Sequence, residues 1–318
     1  MKIAIVETKK GDILLSHSMN AALRTAQMLS TILDADFIYR TKDLYVAAND
    51  YDIIILPYIS TKSEHALVQE FLVKNKNAKI IQVLTEYELT ESYDLYYTQL
   101  PFYVIRQYEG DLRLRTHGRM LADYQVHLNC LIDREPNELQ FKKYDCIYYG
   151  RWREGRKQYY RQYIQGIVLS TSPKNLKHYL LNGCHPNQCY SSLSWGKGHE
   201  TLNNFRYSLY IEDEYTHTHY NYLANRWYEA GFCNNVVFFD ANCENTIKRS
   251  EIGYYWEQIK DYIVHNAGEL HEKINYCNSD FEKHLAIQKC WRTNAMLIRE
   301  QAIRELKGVI EIIANPHQ

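Results

Sequence analysis

Short unbroken apolar runs alternate with helical spacing twice along this chain, and nothing else in it restricts the fold as much. Lys2–Glu7 (KIAIVE), Asp36–Tyr39, Tyr51–Pro57 (YDIIILP) and Ala78–Leu84 (AKIIQVL) read as strands, the third stopped by Pro57. Between them, Met19–Leu33 and Ser63–Lys74 carry apolar residues at helical spacing. Continuous apolar strands alternating with helices mean a parallel sheet covered on both faces. From Thr85 to Arg119 the pattern loosens, with one strand expected near Phe102–Ile105. So long an irregular stretch in a compact domain usually has a functional reason.

The polar, proline-containing segment Leu131–Lys143 (LIDREPNELQFKK) interrupts the alternation and reads as a linker. Beyond it Tyr144–Tyr149, Gly166–Leu169, Tyr207–Ile211 (YSLYI) and Val236–Asp240 (VVFFD) are expected strands. Helices are expected after Gly150 to about Tyr163, from Pro173, and over Tyr220–Ala230, Ile252–His265, Leu270–Tyr276 and Asp280–Ile313. At 318 residues the chain is long enough for two ordinary cores. The expected class is therefore α/β, with two Rossmann-like domains over residues 1–135 and 144–295. Their facing sheets would leave a cleft at the carboxyl ends of both.

Lys and Arg number 37 against 38 Asp and Glu, so a nucleic-acid partner would have to be met by a local patch, not by net charge. The 29 tyrosines suit half-buried, half-wetted surfaces such as ligand clefts, with compositional drift as the alternative. Eight cysteines show no CxxC pair, which favours reduced, packed thiols in a cytoplasmic protein. Cys184-His185 with Cys189 and His199 fits no standard zinc spacing, so no metal site is assigned. The sequence starts on a core strand without an apolar leader and has no 18-residue apolar run. The expectation is a chain neither exported nor membrane-spanning.

Chemistry concentrates in five places. Asp145-Cys146-Ile147-Tyr148-Tyr149-Gly150 runs straight into Arg151-Trp152-Arg153-Glu154-Gly155-Arg156-Lys157, with Arg161 beyond. Cations are unfavourable at a helix start, and Arg153 four residues before Lys157 would stack like charge on one face. An anion held at a strand–glycine–helix turn would relieve both penalties; a solvated basic face is the alternative. Arg226 and Glu229, three apart on a helix that follows a strand, could hold phosphate and ribose, or simply each other. Glu86, directly after the strand ending at Leu84, stands where a general base is useful, or caps a helix. Arg106, Arg113, Arg115 and Arg119 could track a phosphate backbone, or lie solvated on a hairpin. His217 and His219 read as a metal pair, as sugar-hydroxyl contacts or as plain loop residues.

Taken in order, these landmarks resemble those of the T-even phage DNA β-glucosyltransferases, a GT-B family built of two Rossmann-like domains. The shared features are the start Met1-Lys2-Ile3-Ala4-Ile5, a strand leading into Leu84-Thr85-Glu86-Tyr87-Glu88-Leu89, and the turn Ile147-Tyr148-Tyr149-Gly150-Arg151-Trp152-Arg153-Glu154-Gly155. They continue with Leu223-Ala224-Asn225-Arg226-Trp227-Tyr228-Glu229 before Val236–Asp240, and with a helical tail containing Arg292. The resemblance spans nearly the whole chain. Three departures accompany it. Glu86 stands where the family has Asp, Lys157 stands where it has Arg, and the family's early-helix acid has no counterpart near Asn20–Ala21.

What the resemblance implies is a phage DNA glycosyltransferase acting in the cytoplasm of the infected host cell, as a monomer away from membranes. A sugar, glucose or arabinose, would pass from a UDP-sugar to a 5-hydroxymethyl- or 5-hydroxy-pyrimidine in double-stranded DNA, with inversion. Glu86 would be the base, and Gly150, Arg153, Lys157, Gly198, Arg226 and Glu229 would hold the donor, with Arg106, Arg113, Arg115 and Arg119 on DNA. Residues 1–135 would form the acceptor domain, 144–295 the nucleotide-sugar domain, and 296–318 a helix returning to the first. A Mg2+ or Mn2+ ion near the diphosphate is compatible with the sequence and not required by it. Two further readings stay open: a GT-B transferase acting on a glycan or protein, and a nucleotide- or DNA-binding protein without catalysis.

Overall fold

The computed structural model describes residues 1–6, 28–38, 51–56, 71, 73–84, 102–107, 124–128, 131, 143–150, 152–171, 173–190, 202–213 and 223–316. Two six-stranded sheets, each wholly parallel, organise them. The first contains β1 (Ile3–Val6), β2 (Asp36–Ile38), β3 (Ile53–Leu56), β4 (Lys79–Leu84), β5 (Phe102–Gln107) and β6 (Tyr124–Val126), in the order β2-β1-β3-β4-β5-β6. β1 and β3 are buried at every position, as two-sided apolar strands require. Residues 28–33 and 71, 73 and 74 are helical, where helical spacing was read.

The second sheet contains β7 (Lys143–Tyr149), β8 (Val168–Ser170), β9 (Cys189–Tyr190), β10 (Phe205–Tyr210), β11 (Val236–Asp240) and β12 (Ile263–Val264). Its order is β12-β11-β10-β7-β8-β9, so the chain goes outward from β7 in one direction and then returns beside it as β10. That is a doubly wound sheet, and its topological switch point lies between β7 and β10. Loops leaving the carboxyl ends of those two strands diverge there and open a crevice.

Among the described residues the helices of this half are α1 (Lys157–Tyr163), α2 (Pro173–Leu181), α3 (Asn225–Phe232), α4 (Glu244–Arg249), α5 (Trp256–Ile259), α6 (Ala267–Asn278) and α7 (Phe281–Ala314). Two expectations need correction. The span Ile252–His265 is not one helix but short 3-10 turns around α5, followed by strand β12. Ile263 and Val264 pair with Phe239 and Asp240, and this edge pairing outcompetes helical continuation. Helix α3 starts at Asn225, not at Tyr220, because Ala224 is extended (φ −70°, ψ 159°) and its amide donates to Tyr210 Oη at 2.8 Å.

Helix α7 has 34 residues and is about 50 Å long at 1.5 Å per residue. Asp280 caps it by accepting from the Lys283 amide. Phe281, Leu285, Gln288, Trp291, Ala295, Ala302, Leu306, Ile310 and Ile313 form its buried stripe. The early part of that stripe packs on β11 and α3 of the second sheet, and the later part reaches β6 of the first. Gln288 shows how close the fit is. Its side-chain oxygen accepts from the Val237 amide at 2.8 Å, and its nitrogen donates to the Val237 carbonyl at 3.0 Å. No helix among the described residues is long and apolar enough to cross a membrane.

Candidate functional site

The crevice between β7 and β10 is where the described charged residues converge. β7 ends at Tyr149 and runs into Gly150, whose carbonyl accepts from Thr171 Oγ1 at 2.7 Å. Arg153 then lies in extended backbone (φ −137°, ψ 134°), a 3-10 turn covers Glu154–Arg156, and α1 begins at Lys157. On the opposite side β10 ends at Tyr210, followed by the buried residues Ile211, Glu212 and Asp213. Helix α3 places Arg226 in its first turn above both.

Three guanidiniums meet two carboxylates there. Arg156 Nη2 donates to Glu212 Oε2 at 2.5 Å, and Arg156 Nε lies 3.3 Å from Asp213 Oδ2. Arg153 Nη1 lies 3.6 Å from the same Asp213 oxygen. Arg226 Nη2 donates to Glu212 Oε1 and, at 3.1 Å, to the Ile211 carbonyl. Side-chain exposure is 7% for Arg156, 2% for Glu212, 7% for Asp213 and 17% for Arg226, whereas Arg153 is half exposed at 50%. The cluster is thus a buried ionic floor with one guanidinium reaching outward.

Electrostatics separate the two buried arginines. Burial pulls the Arg156 guanidinium down, but Tyr148 and Asp213 beside it more than offset this and leave its pKa above the ordinary value. Arg226 is held below the ordinary value, first by burial and next by the positive charge of Arg156. Arg226 also lies over the Tyr210 ring, 5.7 Å from its centroid. A Cβ on Gly150 would stand 3.3 Å from Arg226 Nη1 and 3.3 Å from Tyr148 Oη, so glycine lets these groups close on the turn.

Of the residues singled out in the sequence, the structure brings Gly150, Arg153, Arg226 and Glu229 together. Glu229 is buried on α3 and accepts from Tyr149 Oη at 3.0 Å, while the same hydroxyl donates to the Arg226 carbonyl at 2.9 Å. Lys157 turns away: its Nζ lies 3.5 Å from Glu154 Oε2 on the outer side of the helix start. The anticipated stacking of Arg153 over Lys157 does not form, because Arg153 precedes the helix in extended conformation. Arg106 lies on β5, with its backbone alone described. Glu86, Arg113, Arg115, Arg119, Gly198, His217 and His219 lie outside the described residues.

Arg156, Glu212 and Asp213 were missed in the sequence. Arg156 sat unremarked inside the basic run, yet it is the buried member. Glu212 and Asp213 directly follow a strand, and the rule that singled out Glu86 at the end of β4 would have found them as well. Among the described residues no group of three or more His, Cys, Asp or Glu side chains is placed to hold a metal ion.

Two doubly wound parallel sheets, a long C-terminal helix and a basic crevice at the second switch point define an α/β protein of the GT-B type. No family profile matches the sequence, and no curated protein matches it by sequence. Solved structures do match in fold. T4 phage β-glucosyltransferase, in a mutant complex with UDP-glucose, matches with a TM-score of 0.67 and 15% identity, over 98% of this chain and 99% of that one. The DNA-modifying enzyme β-glucosyltransferase, solved with and without uridine diphosphoglucose, gives 0.65 and 15% over the same shares. An α-glucosyltransferase bound to UDP and a 13-mer DNA gives 0.62 and 11%, over 98% of this chain and 100% of that one. What is shared at these identities is the fold, from one end of the chain to the other.

Proposed function

We propose that this chain is a UDP-sugar-dependent DNA glycosyltransferase. The observation that carries the reading is the gathering of Arg153, Arg156 and Arg226 at the β7–β10 switch point. Doubly wound sheets place nucleotide phosphates at that position. The fold neighbours are named as glucosyltransferases and were captured with UDP, UDP-glucose or DNA. The acceptor domain is 1–135, the donor domain 144–295, and the returning tail 296–318.

In this mechanism the donor diphosphate meets Arg153 and Arg226, with Lys157 closing from the outer side. Gly150 gives room for the phosphates, Gly198 contacts the base, and Glu229 serves the ribose. Glu86 takes the proton of a hydroxyl on a 5-hydroxymethyl- or 5-hydroxy-pyrimidine, and that oxygen bonds to the anomeric carbon. The bond from the anomeric carbon to the diphosphate breaks on the opposite face, so configuration inverts and UDP leaves. General-base assistance is worth about 10²–10⁴-fold, and guanidiniums preorganised around the leaving group supply the larger electrostatic share. Arg106, Arg113, Arg115 and Arg119 hold the DNA backbone without reading sequence while the target nucleotide is flipped out, at a cost of about a few kcal/mol. The protein works as a monomer in the cytoplasm of the infected host cell.

The test is incubation with a panel of UDP-sugars, glucose and arabinose among them, and with modified DNA, unmodified DNA or no acceptor. Mass spectrometry of the digested DNA reads the product. Gain of one sugar on modified DNA alone supports the reading, and Glu86→Gln should then abolish transfer while UDP still binds. Donor turnover indifferent to DNA would replace it with a transferase acting on a glycan or protein. No UDP binding would leave a binding protein without catalysis. The same assay with and without a chelator reads whether Mg2+ or Mn2+ contributes.

A further inference from the structure

Glu212 divides its two oxygens between cations from two different segments. Oε2 takes Arg156, which arrives on the turn after β7, and Oε1 takes Arg226, which arrives on α3. With 2% of its side chain exposed, it sits where two unbridged guanidiniums would repel each other across a weakly screened gap. Removing the bridging anion leaves Arg156 its pairing with Asp213 but leaves Arg226 with no carboxylate partner among the described residues, so Arg226 is the one that swings out.

The movable one is Arg226. Its Nη2 has the Ile211 carbonyl as a second acceptor, whereas its Nε is buried and makes no hydrogen bond among the described residues. Its Nη1 faces Gly150, since a Cβ there would come within 3.3 Å. The Glu212 bond therefore sets which guanidinium edge is turned to the β7 turn, and it leaves donors unmet on the others.

We propose that Glu212 is a positioning residue for donor binding: by bridging Arg156 and Arg226 it holds both cations at the switch point and fixes the edge of Arg226 offered to the diphosphate. The inference rests on the donor site proposed above. In this arrangement Arg156 acts as the second anchor of Glu212 and does not need to touch the phosphates.

Titration calorimetry with UDP on the full chain tests it, using Glu212→Gln, Arg156→Met, Glu212→Asp and the double variant Glu212→Gln/Arg156→Met. Thermal melts establish that each is folded. Glu212→Gln should weaken UDP binding about tenfold, a tenfold change being 1.4 kcal/mol. The double variant should regain most of that loss, because Arg226, the remaining member of the bridged pair, no longer faces Arg156 and no longer needs the bridge. Glu212→Asp, a methylene shorter, should fall between and serves in place of the amide variant if that one does not fold. Unchanged or tighter UDP binding in Glu212→Gln would overturn the proposal, since the carboxylate would then only neutralise charge or compete with phosphate. A double variant no better than Glu212→Gln at equal melting temperature would overturn it too. Wild-type protein that binds no UDP would instead reject the donor site itself.

Discussion

Lys79 Nζ donates to the carbonyl oxygens of Ile313 and of Ala314, each at 2.7 Å. Lys79 opens β4 in the first sheet, and the two carbonyls belong to the last turn of α7, which begins against the second. A cation at a helix C-terminus meets the negative pole of the macrodipole and satisfies carbonyls that have no intrahelical partner. Lysine supplies a flexible stem and three donors, which suits two acceptors side by side.

Replacing Lys79 by Met keeps the stem and removes the donors. Stability should fall by about 1.5–3 kcal/mol, the range for hydrogen bonds to a charged group. Urea denaturation followed by circular dichroism reads the change as a lower midpoint. UDP affinity should stay as in the wild type, because the donor crevice is built on the other sheet.

Gln288 acts on β11 as a missing strand would. β12 pairs only with Phe239 and Asp240, and the Val237 amide and carbonyl are met by the Gln288 side chain instead. Gln288→Leu fills the same space and leaves two buried backbone groups unpaired. The expected loss is about 2–6 kcal/mol at roughly 1–3 kcal/mol per orphaned group, measured as equilibrium unfolding free energy.

Gly150→Ala tests the turn itself. The added methyl would press on Arg226 Nη1 and Tyr148 Oη, both flexible ends that can shift by a few tenths of an ångström. The fold should survive with little change in melting temperature. UDP affinity should drop roughly tenfold, about 1.4 kcal/mol, as Arg226 is pushed off its edge, and calorimetry reads it.

Glu251 gives the chain a pH signature. Burial raises its pKa above the ordinary carboxylate value, against the opposing pull of Tyr228, whose hydroxyl donates to it. The folded state therefore keeps a proton that the unfolded state releases, so this residue's contribution to stability declines as pH rises through the ordinary Glu range toward the raised value. Glu251→Gln keeps an acceptor for Tyr228 and removes the titration. Melting curves should show the variant more stable than wild type at neutral pH, with the gap closing below about pH 4.

Much of the fold could be read from the apolar runs, because two-sided burial leaves little ambiguity. Val236–Asp240 was bounded correctly, and β3 and β4 lie within the expected spans. The strands that escaped notice, β6, β9 and β12, are two or three residues long and owe their existence to a neighbouring strand rather than to local pattern, and the six-residue helix α4 was missed as well. The site was half legible. The cations after β7 do meet negative charge, but the anions the structure shows there are the chain's own Glu212 and Asp213, which follow the neighbouring strand β10. No spacing rule links Arg156 to Glu212, 56 positions on; only the return of β10 beside β7 does.

The order in which α7 and β6 are made has a consequence for biosynthesis. The whole first sheet leaves the ribosome well before the helix that packs against β6 and is gripped by Lys79. A nascent amino-terminal half thus waits, incompletely clothed, while the second half is translated and folds around β11. Truncation near the carboxyl end should therefore harm the part of the molecule synthesised first, and a chaperone assisting this chain would find its client surface there.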